Sequence, residues 1–345
     1  MTTGSQTRVA SAILDEARQL LGSPHRKAIY DLPTEARHIA GYHIGWWDEA
    51  GTTRRESGKS IRPALAVAAA RAVGGDTATD SALPVATAVE LVHDFSLLHD
   101  DVMDESPLRH HRAAAWTVFG RAKAVLTGDL LLGTAYNVLN QSENAHRERL
   151  VASLVQAVYD LCVGQAWDMA FESRSDVSLA EATHMVAGKT GALIGCSCEL
   201  GAIAAGANPN TASVMREFGE HIGMAFQLVD DILGIWGDPQ TTGKPVGSDL
   251  LARKKSLPVV AALTSGSPAA QQLAILYART ANLGESDELA TTMRLVEESG
   301  GRTWAEEQVK YEIDAAQRCL DRVVLHETGT QDLLSLVQFL TDRST

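Results

Sequence analysis

The chain has 345 residues, 45% of them hydrophobic and only 5% aromatic, and a formal net charge of −13. So acidic a chain lacks the basic face that nucleic acid needs, which excludes that class of partner. Alanine, leucine and valine dominate and β-branched runs are few, so the fold class is read as all-α with ample material for a large core.

Residues 1–8 are small and polar and read as a frayed, disordered tail. From 9 to 345 nothing has the composition of a linker, so one all-helical domain is expected. Helical periodicity starts near Val9 and runs to about Leu21, where Ser23-Pro24 predicts a break. A second helix is predicted from Thr34 to Trp47, closed by Gly51-Thr52-Thr53, and a third from about Lys59 to Val73, ended by Gly74-Gly75. The next runs from about Ser81 to Met103, stops at Ser106-Pro107 and leads into a basic loop, Arg109-His110-His111-Arg112.

Helices are predicted over 114–140, 145–171 and 179–205, the last opened by a capping box, Ser178-x-x-Glu181. The loop Gly206 to Asn210 precedes a helix over 211–235, and a Gly- and Pro-marked stretch from Gly237 to Ser248 follows it. Residues 256–343 read as four more helices, parted near Ser265–Pro268, Ala281–Gly284 and Gly300–Gly301. Many helices with short connections imply one large bundle around a central cavity.

Four cysteines, Cys162, Cys196, Cys198 and Cys319, show no zinc spacing, because Cys196-x-Cys198 is not C-x₂-C and has no His/Cys partner set. Reduced, buried thiols in a cytoplasmic protein are expected. No signal peptide opens the chain and no apolar run reaches about 18 residues, so no membrane span is expected.

The chemistry is carried by two helix ends. Asp100, Asp101 and Asp104 close one apolar helical run, and Asp230-Asp231 closes another 130 residues later. On a helix Asp100 and Asp104 share one face, their Cβ atoms about 6 Å apart. Carboxylates so close at a buried helix end repel one another and lose solvation, which a hard cation such as Mg²⁺ relieves. Lysines and arginines at Lys59, Arg62, Arg109, Arg112, Lys189, Lys244 and Lys254 could meet the oxygens of a phosphorylated ligand.

In this order the motifs resemble those of the trans-isoprenyl diphosphate synthases, the polyprenyl synthetase family with the class I isoprenoid synthase fold. Asp100-Asp101-x-x-Asp104 looks like the family's first Asp-rich motif and Gln227-x-x-Asp230-Asp231 like the second. Gly58-Lys59-x-x-Arg62-Pro63 is similar to its G-K-R-x-R-P segment, Lys189-Thr190 to its K-T pair, and Lys244 and Lys254 to its two later lysines. The resemblance spans about residues 35–265.

What it implies is a head-to-tail prenyltransferase that joins isopentenyl diphosphate to an allylic diphosphate (dimethylallyl, geranyl or farnesyl). Asp100, Asp104, Asp230 and Asp231 would hold three Mg²⁺ ions (Mn²⁺ being an alternative), with Asp101 in support and Asp249 on a metal-bound water. Arg109, Lys189, Lys244 and Lys254 would neutralise the leaving diphosphate. Lys59, Arg62 and His93 would hold isopentenyl diphosphate, and Thr190 and Gln227 would face the allylic cation. A cytoplasmic homodimer is implied as well.

Three positions depart from the family pattern. Ser60 follows Lys59 where a second basic residue is usual, and His110 follows Arg109 where an arginine is usual, leaving Arg112 or protonated His110 as the substitute. The third Asp of the second motif is Gly234, with Asp238 seven residues past Asp231 and so near its face. Rival readings are a one-substrate terpene cyclase, which has no need of Lys59, Arg62 and His93, and a non-catalytic subunit, which would not keep all three Asp of the first motif. An HD-type phosphohydrolase, suggested by His99-Asp100, leaves Asp230-Asp231 and Lys189-Thr190 without a role. Phe95, five residues before Asp100, sits where bulky side chains floor the product pocket in the resembled family. One aromatic there, beside Ser96, resembles the geranylgeranyl-producing members, so a C20 product is expected, with C15 next.

Overall fold

Apolar periodicity turns most of the described chain into helix. A computed structural model describes residues 8–54, 60–239, 245–278 and 286–341. The chain divides into two compact units. The first takes the described residues up to Val158 together with Cys196–Arg216 and Arg322–Leu336, and the second takes Tyr159–Gly195, Glu217–Asp321 and the described residues from Val337.

The first unit is built on α1 (Ala10–Tyr30), α2 (Thr34–Ile44), α3 (Ile61–Gly74), α4 (Thr79–Met103), α5 (Ala115–Phe119) and α6 (Arg121–Asn140). Helix α4 is largely apolar and largely buried; it packs against α1, α3 and α6. The facing helix α3 has six alanines among its 14 residues, Ala64, Ala66, Ala68, Ala69, Ala70 and Ala72, all buried, so small side chains let the two axes come close. Arg71 on α3 donates a two-pronged bond to Glu16 on α1 at 2.7 and 2.9 Å, joining these helices at their polar margin.

Helices α7 (Arg147–Ser173), α9 (Ala192–Ala204), α10 (Pro209–Trp236) and α16 (Glu327–Thr341) contribute to both units. The second unit also contains α8 (Leu179–Val186), α11 (Ser248–Leu251), α12 (Leu257–Thr264), α13 (Pro268–Ala278), α14 (Ser286–Glu298) and α15 (Gly301–Leu320). One of its cores gathers Met185, Leu228, Ile232, Leu257 and Val260 around the Asp end of α10. The capping box at Ser178 is formed in both directions, Glu181 N donating to Ser178 Oγ and Ser178 N to Glu181 Oε2.

Several predicted boundaries are corrected. Helix α1 does not stop at Ser23-Pro24 but continues to Tyr30, because Leu21, His25, Ala28 and Ile29 form one buried face. Burying Leu21 and Ile29 is worth about 1.5–3 kcal/mol each, enough together to offset about 3 kcal/mol for an interior proline. Helix α2 ends at Ile44, short of Trp47, at Gly45 with φ 95°. The helix predicted over 114–140 is split at Gly120, where φ is 93°. The one predicted over 179–205 holds together, but through a π turn at Ala187–Gly191.

Among the described residues 256–343 hold five helices, not four. The unforeseen break follows Leu320, where the apolar Val323-Val324-Leu325 mimics a helical run. Val324 is instead fully exposed and His326 N donates to Ala72 O at 2.7 Å. The expected break near Ala281–Gly284 lies outside the described residues, as do residues 1–7 of the expected tail.

Two helical stretches, Asp76–Met103 and Arg147–Ser173, are long and apolar enough by length and composition to cross a membrane, which the count of uninterrupted apolar residues did not foresee. In the first, 61% of the apolar window is buried within the protein, as a core helix requires; in the second only 39% is. None of the four cysteines is in a disulfide, and Cys162 is exposed rather than buried.

Candidate active site

The end of α4 presents three carboxylates in three environments. Asp100 is half-buried, Asp101 is buried, and Asp104 is the exposed C-cap, its N–H still donating to Asp100 O at 2.9 Å. That bond keeps Asp100 and Asp104 one turn apart, as predicted. Asp101 accepts a fork from Arg109, whose Nε lies 3.0 and 3.2 Å from its oxygens and whose Nη2 lies 2.7 Å away.

The basic segment after α4 is a hairpin, not the loop predicted. Strands β1 (Leu108–Arg109) and β2 (Arg112–Ala113) pair antiparallel with Arg109 opposite Arg112. His110 and His111 form the two-residue turn at φ 49° and 61°, the type I′ geometry that suits right-handed strand twist. Histidine tolerates this left-handed region better than most residues. Arg112 stacks on the Tyr42 ring at 4.4 Å and donates to Tyr42 O at 3.1 Å, so it serves as a clasp between the hairpin and α2.

Behind the hairpin lies a set of charged and titratable groups. Burial lowers the Arg62 pKa, and Glu90 and Asp94 pull it back up. Burial and the nearby Arg62, Arg109, His43 and His110 hold His93 well below the usual histidine range. The structure thus brings Arg62, His93, Arg109 and His110 into one neighbourhood, and adds His43. Lys59 lies outside the described residues.

A small cavity of about 40 Å³ is lined by Tyr42, His43, Arg109, His110 and Arg112. The Nδ1 of His43 is buried with no hydrogen-bond partner, and burial lowers this imidazole to about 4 against the opposing pull of Asp94 and Asp101. Phe95 is buried and meets the edge of His99 at 4.7 Å, and His99 is held through Nε2 by Val125 O at 2.9 Å. Ser96 turns its hydroxyl onto His93 O.

In the second unit a chain of hydrogen bonds leads to the Asp pair. Thr190 Oγ1 donates to Gln227 Oε1 at 2.8 Å, Gln227 Nε2 to Asp231 Oδ1 at 2.8 Å, and Leu257 N to Asp231 Oδ2 at 2.9 Å. Thr190 has one proton and uses it here, so toward any third group its oxygen can only accept. Lys189 Nζ donates to Asp168 Oδ2 at 2.6 Å. The π turn carries both residues, and Gly164 and Gly188 let α7 lie against it: a Cβ on Gly164 would meet Lys189 N at 2.2 Å, and one on Gly188 would meet Asp160 O at 2.7 Å.

Asp230 is exposed, whereas Asp231 is buried and pushed up to about 7 by that burial, with Asp249 and Asp230 adding repulsion against its hydrogen bonds. Gly234 now has a physical meaning. A Cβ there would meet Asp249 Oδ2 at 2.4 Å, so the missing third Asp of the motif makes room for the carboxylate of Asp249. The expectation that Asp238 lies on the helix face is corrected, since α10 ends at Trp236. Lys254 loses basicity to burial but gains more from Asp249, Asp231, Asp168 and Asp230, and its pKa is raised. Lys244 lies outside the described residues.

Sequence reasoning missed Asp168 and His43. A signal for the first was present: Gln165-x-x-Asp168 repeats the spacing of Gln227-x-x-Asp230. Both polar atoms of the Gln165 amide are buried without a partner.

Residues 48–293 match the family described as polyprenyl synthetase. A (2E,6E)-farnesyl diphosphate synthase of Mycobacterium tuberculosis is 41% identical, covering 98% of this chain and 94% of its own. A geranylgeranyl diphosphate synthase of the same organism is 43% identical over 97% of this chain and 94% of its own. The crystal structure of a polyprenyl synthetase from Streptomyces coelicolor has a TM-score of 0.90 at 40% identity, covering 96% of this chain and 99% of that one.

The burial of His43 sets a pH dependence. Its folded pKa, about 4, lies below the ordinary 6.5, so between these values the unfolded chain binds more protons. Its contribution is therefore intact above pH 6.5 and is lost as pH falls through 4, by about 3 kcal/mol in all. Denaturant unfolding at several pH values should show a steep fall over this window, shallower in His43→Phe, with the residue of the slope from His93. An identical slope in the variant would show that His43 is not held neutral.

Proposed function

The chain belongs to the polyprenyl synthetase family, and from that membership we propose that it makes geranylgeranyl diphosphate by Mg²⁺-dependent, head-to-tail addition of isopentenyl diphosphate to an allylic diphosphate. It is a prenyltransferase of the short-chain prenyl diphosphate synthase type, with the all-α isoprenoid synthase fold. The observation that carries the reading is the pairing of carboxylates with held cations: Arg109 forked on Asp101, and Lys254 among Asp231, Asp249 and Asp168.

The donor set of Asp100, Asp104, Asp230 and Asp231 is oxygen only, which suits Mg²⁺ and tolerates Mn²⁺. Asp231 pushed up to about 7 beside Asp230 and Asp249 is a carboxyl whose ionisation a divalent cation favours. Three bound Mg²⁺ ions, with Asp249 on a coordinated water, would supply charge stabilisation to the diphosphate as its bond to carbon breaks.

The remaining residues divide by task. Arg109, Lys189, Lys244 and Lys254 take up negative charge on the leaving diphosphate. Arg109, Lys189 and Lys254, held by carboxylates beforehand, stabilise the transition state with little reorganisation. Thr190 and Gln227 offer oxygen dipoles to the allylic cation. Lys59, Arg62 and His93 hold isopentenyl diphosphate, with His110 on the hairpin in the place of the usual arginine, since Arg112 is engaged with Tyr42. The alkene of isopentenyl diphosphate attacks the cation, and the departed diphosphate takes the final proton. Orientation of the two substrates supplies much of the remaining rate.

We place the enzyme in the cytoplasm, in keeping with four cysteines outside any disulfide, and as a homodimer. Support for the dimer comes from α7, where Ala152, Val155, Tyr159, Cys162, Ala166 and Met169 are exposed at alternating three- and four-residue steps. Val155 is 50%, Tyr159 64% and Met169 42% exposed. A seam at that spacing is what one helix offers a second copy.

Three experiments test these assignments. Asp100→Ala or Asp230→Ala should lower kcat by about a hundredfold or more with an unchanged circular dichroism spectrum, each removing a group needed mainly in the transition state. EDTA should abolish turnover and Mg²⁺ restore it; near-normal turnover in either folded variant would refute the site.

Phe95→Ala should lengthen the product beyond C20 and Ser96→Phe shorten it toward C15, on analysis of dephosphorylated products. An unchanged distribution in Phe95→Ala would remove the ground for C20. Tyr159→Glu should convert dimer to monomer in light scattering after size exclusion, and a parent protein that is already monomeric would rule out the seam.

A further inference from the structure

Away from the Asp motifs, the second unit gathers three metal-ligating side chains of different chemistry. Glu217 and His221 lie one turn apart on α10, and Cys319 lies in the last turn of α15. A carboxylate oxygen of Glu217, a ring nitrogen of His221 and the Sγ of Cys319 all lie within 4.8 Å of one another. Cys319 is 2% exposed, and the other two are half-buried.

The imidazole is already held in place. His221 Nδ1 lies 2.5 Å from Glu312 Oε2, and Glu312 is two turns before Cys319 on the same face of α15. A carboxylate on one ring nitrogen is the arrangement that orients a histidine to bind a metal through the other.

We propose that Glu217, His221 and Cys319 form a second metal site, for a thiophilic divalent ion such as Zn²⁺, with Glu312 positioning the imidazole. A mixed oxygen, nitrogen and sulfur set suits Zn²⁺, whereas Mg²⁺ takes oxygen ligands. Four-coordinate zinc places its donors about 3.3–3.7 Å apart, so the three atoms close on the ion through small side-chain rotations. Binding releases the Cys319 thiol proton to solvent, and His221 binds as the neutral ring with its remaining N–H given to Glu312. Water completes the tetrahedron. The ion would tie α10 to α15, the role of a structural site, and does not depend on the prenyl transfer reading.

Full-length protein freed of metal by chelation and titrated with Co²⁺ in excess Mg²⁺ tests this. One equivalent should bind, with a near-ultraviolet thiolate-to-cobalt charge-transfer band and visible tetrahedral bands, and Zn²⁺ should displace it and raise Tm. Cys319→Ser should lose the charge-transfer band and Cys162→Ser keep it. Glu312→Gln should weaken Co²⁺ binding about 10- to 100-fold.

Glu217→Gln leaves the buried thiol intact and should weaken binding at least tenfold, which keeps the test open should Cys319→Ser fail to fold. No charge-transfer band at one equivalent, a band that survives Cys319→Ser, or unchanged affinity in Glu217→Gln would each overturn the site. Unchanged affinity in Glu312→Gln would overturn its positioning role.

Discussion

Charge held out of water is the constraint to which most of this structure answers. Asp101 at the end of α4 and Asp231 at the end of α10 are both buried. A carboxylate so placed either finds a counter-charge or takes up a proton. The two meet the constraint differently. Asp101 has the guanidinium fork of Arg109. Asp231 takes its hydrogen bonds from neutral donors, Gln227 and Leu257, and burial leaves it pushed up to about 7. The first arrangement fixes a guanidinium in place, and the second leaves a carboxyl whose ionisation further positive charge would favour.

Lys189 on Asp168 repeats the first arrangement, and Lys254 among four carboxylates extends it. A flexible lysine tethered in this way has already lost much of its rotamer freedom, so less remains to lose when an anionic ligand engages it. The histidines take the opposite course. His43 and His93 are kept neutral by burial and by neighbouring arginines, so near neutral pH they offer hydrogen bonds and not charge.

What was legible in the residue order was whatever depends on near neighbours. The capping box at Ser178, the one-turn spacing of Asp100 and Asp104, and the all-α character follow from local rules. Helix α1 running through Pro24 was not legible, because the buried face that carries it is a tertiary property. The Arg109 to Arg112 segment reads as a loop because two histidines in left-handed conformation are not a usual turn signal. Gly234 looked like a lost ligand, and only the approach of Asp249 from beyond the helix shows what it makes room for. His221 and Cys319, 98 residues apart, match no spacing rule, since those rules describe ligands on one short segment.

The π turn at Ala187–Gly191 introduces a phase slip between α8 and α9. One extra residue in a helical turn advances the following helix by about 100° relative to an unbroken α-helix. Adjacent residues inside the slip can therefore be aimed at unrelated partners, which is how Lys189 reaches Asp168 on α7 while Thr190 reaches Gln227 on α10. A straight helix of the same composition would set one of the two off its mark.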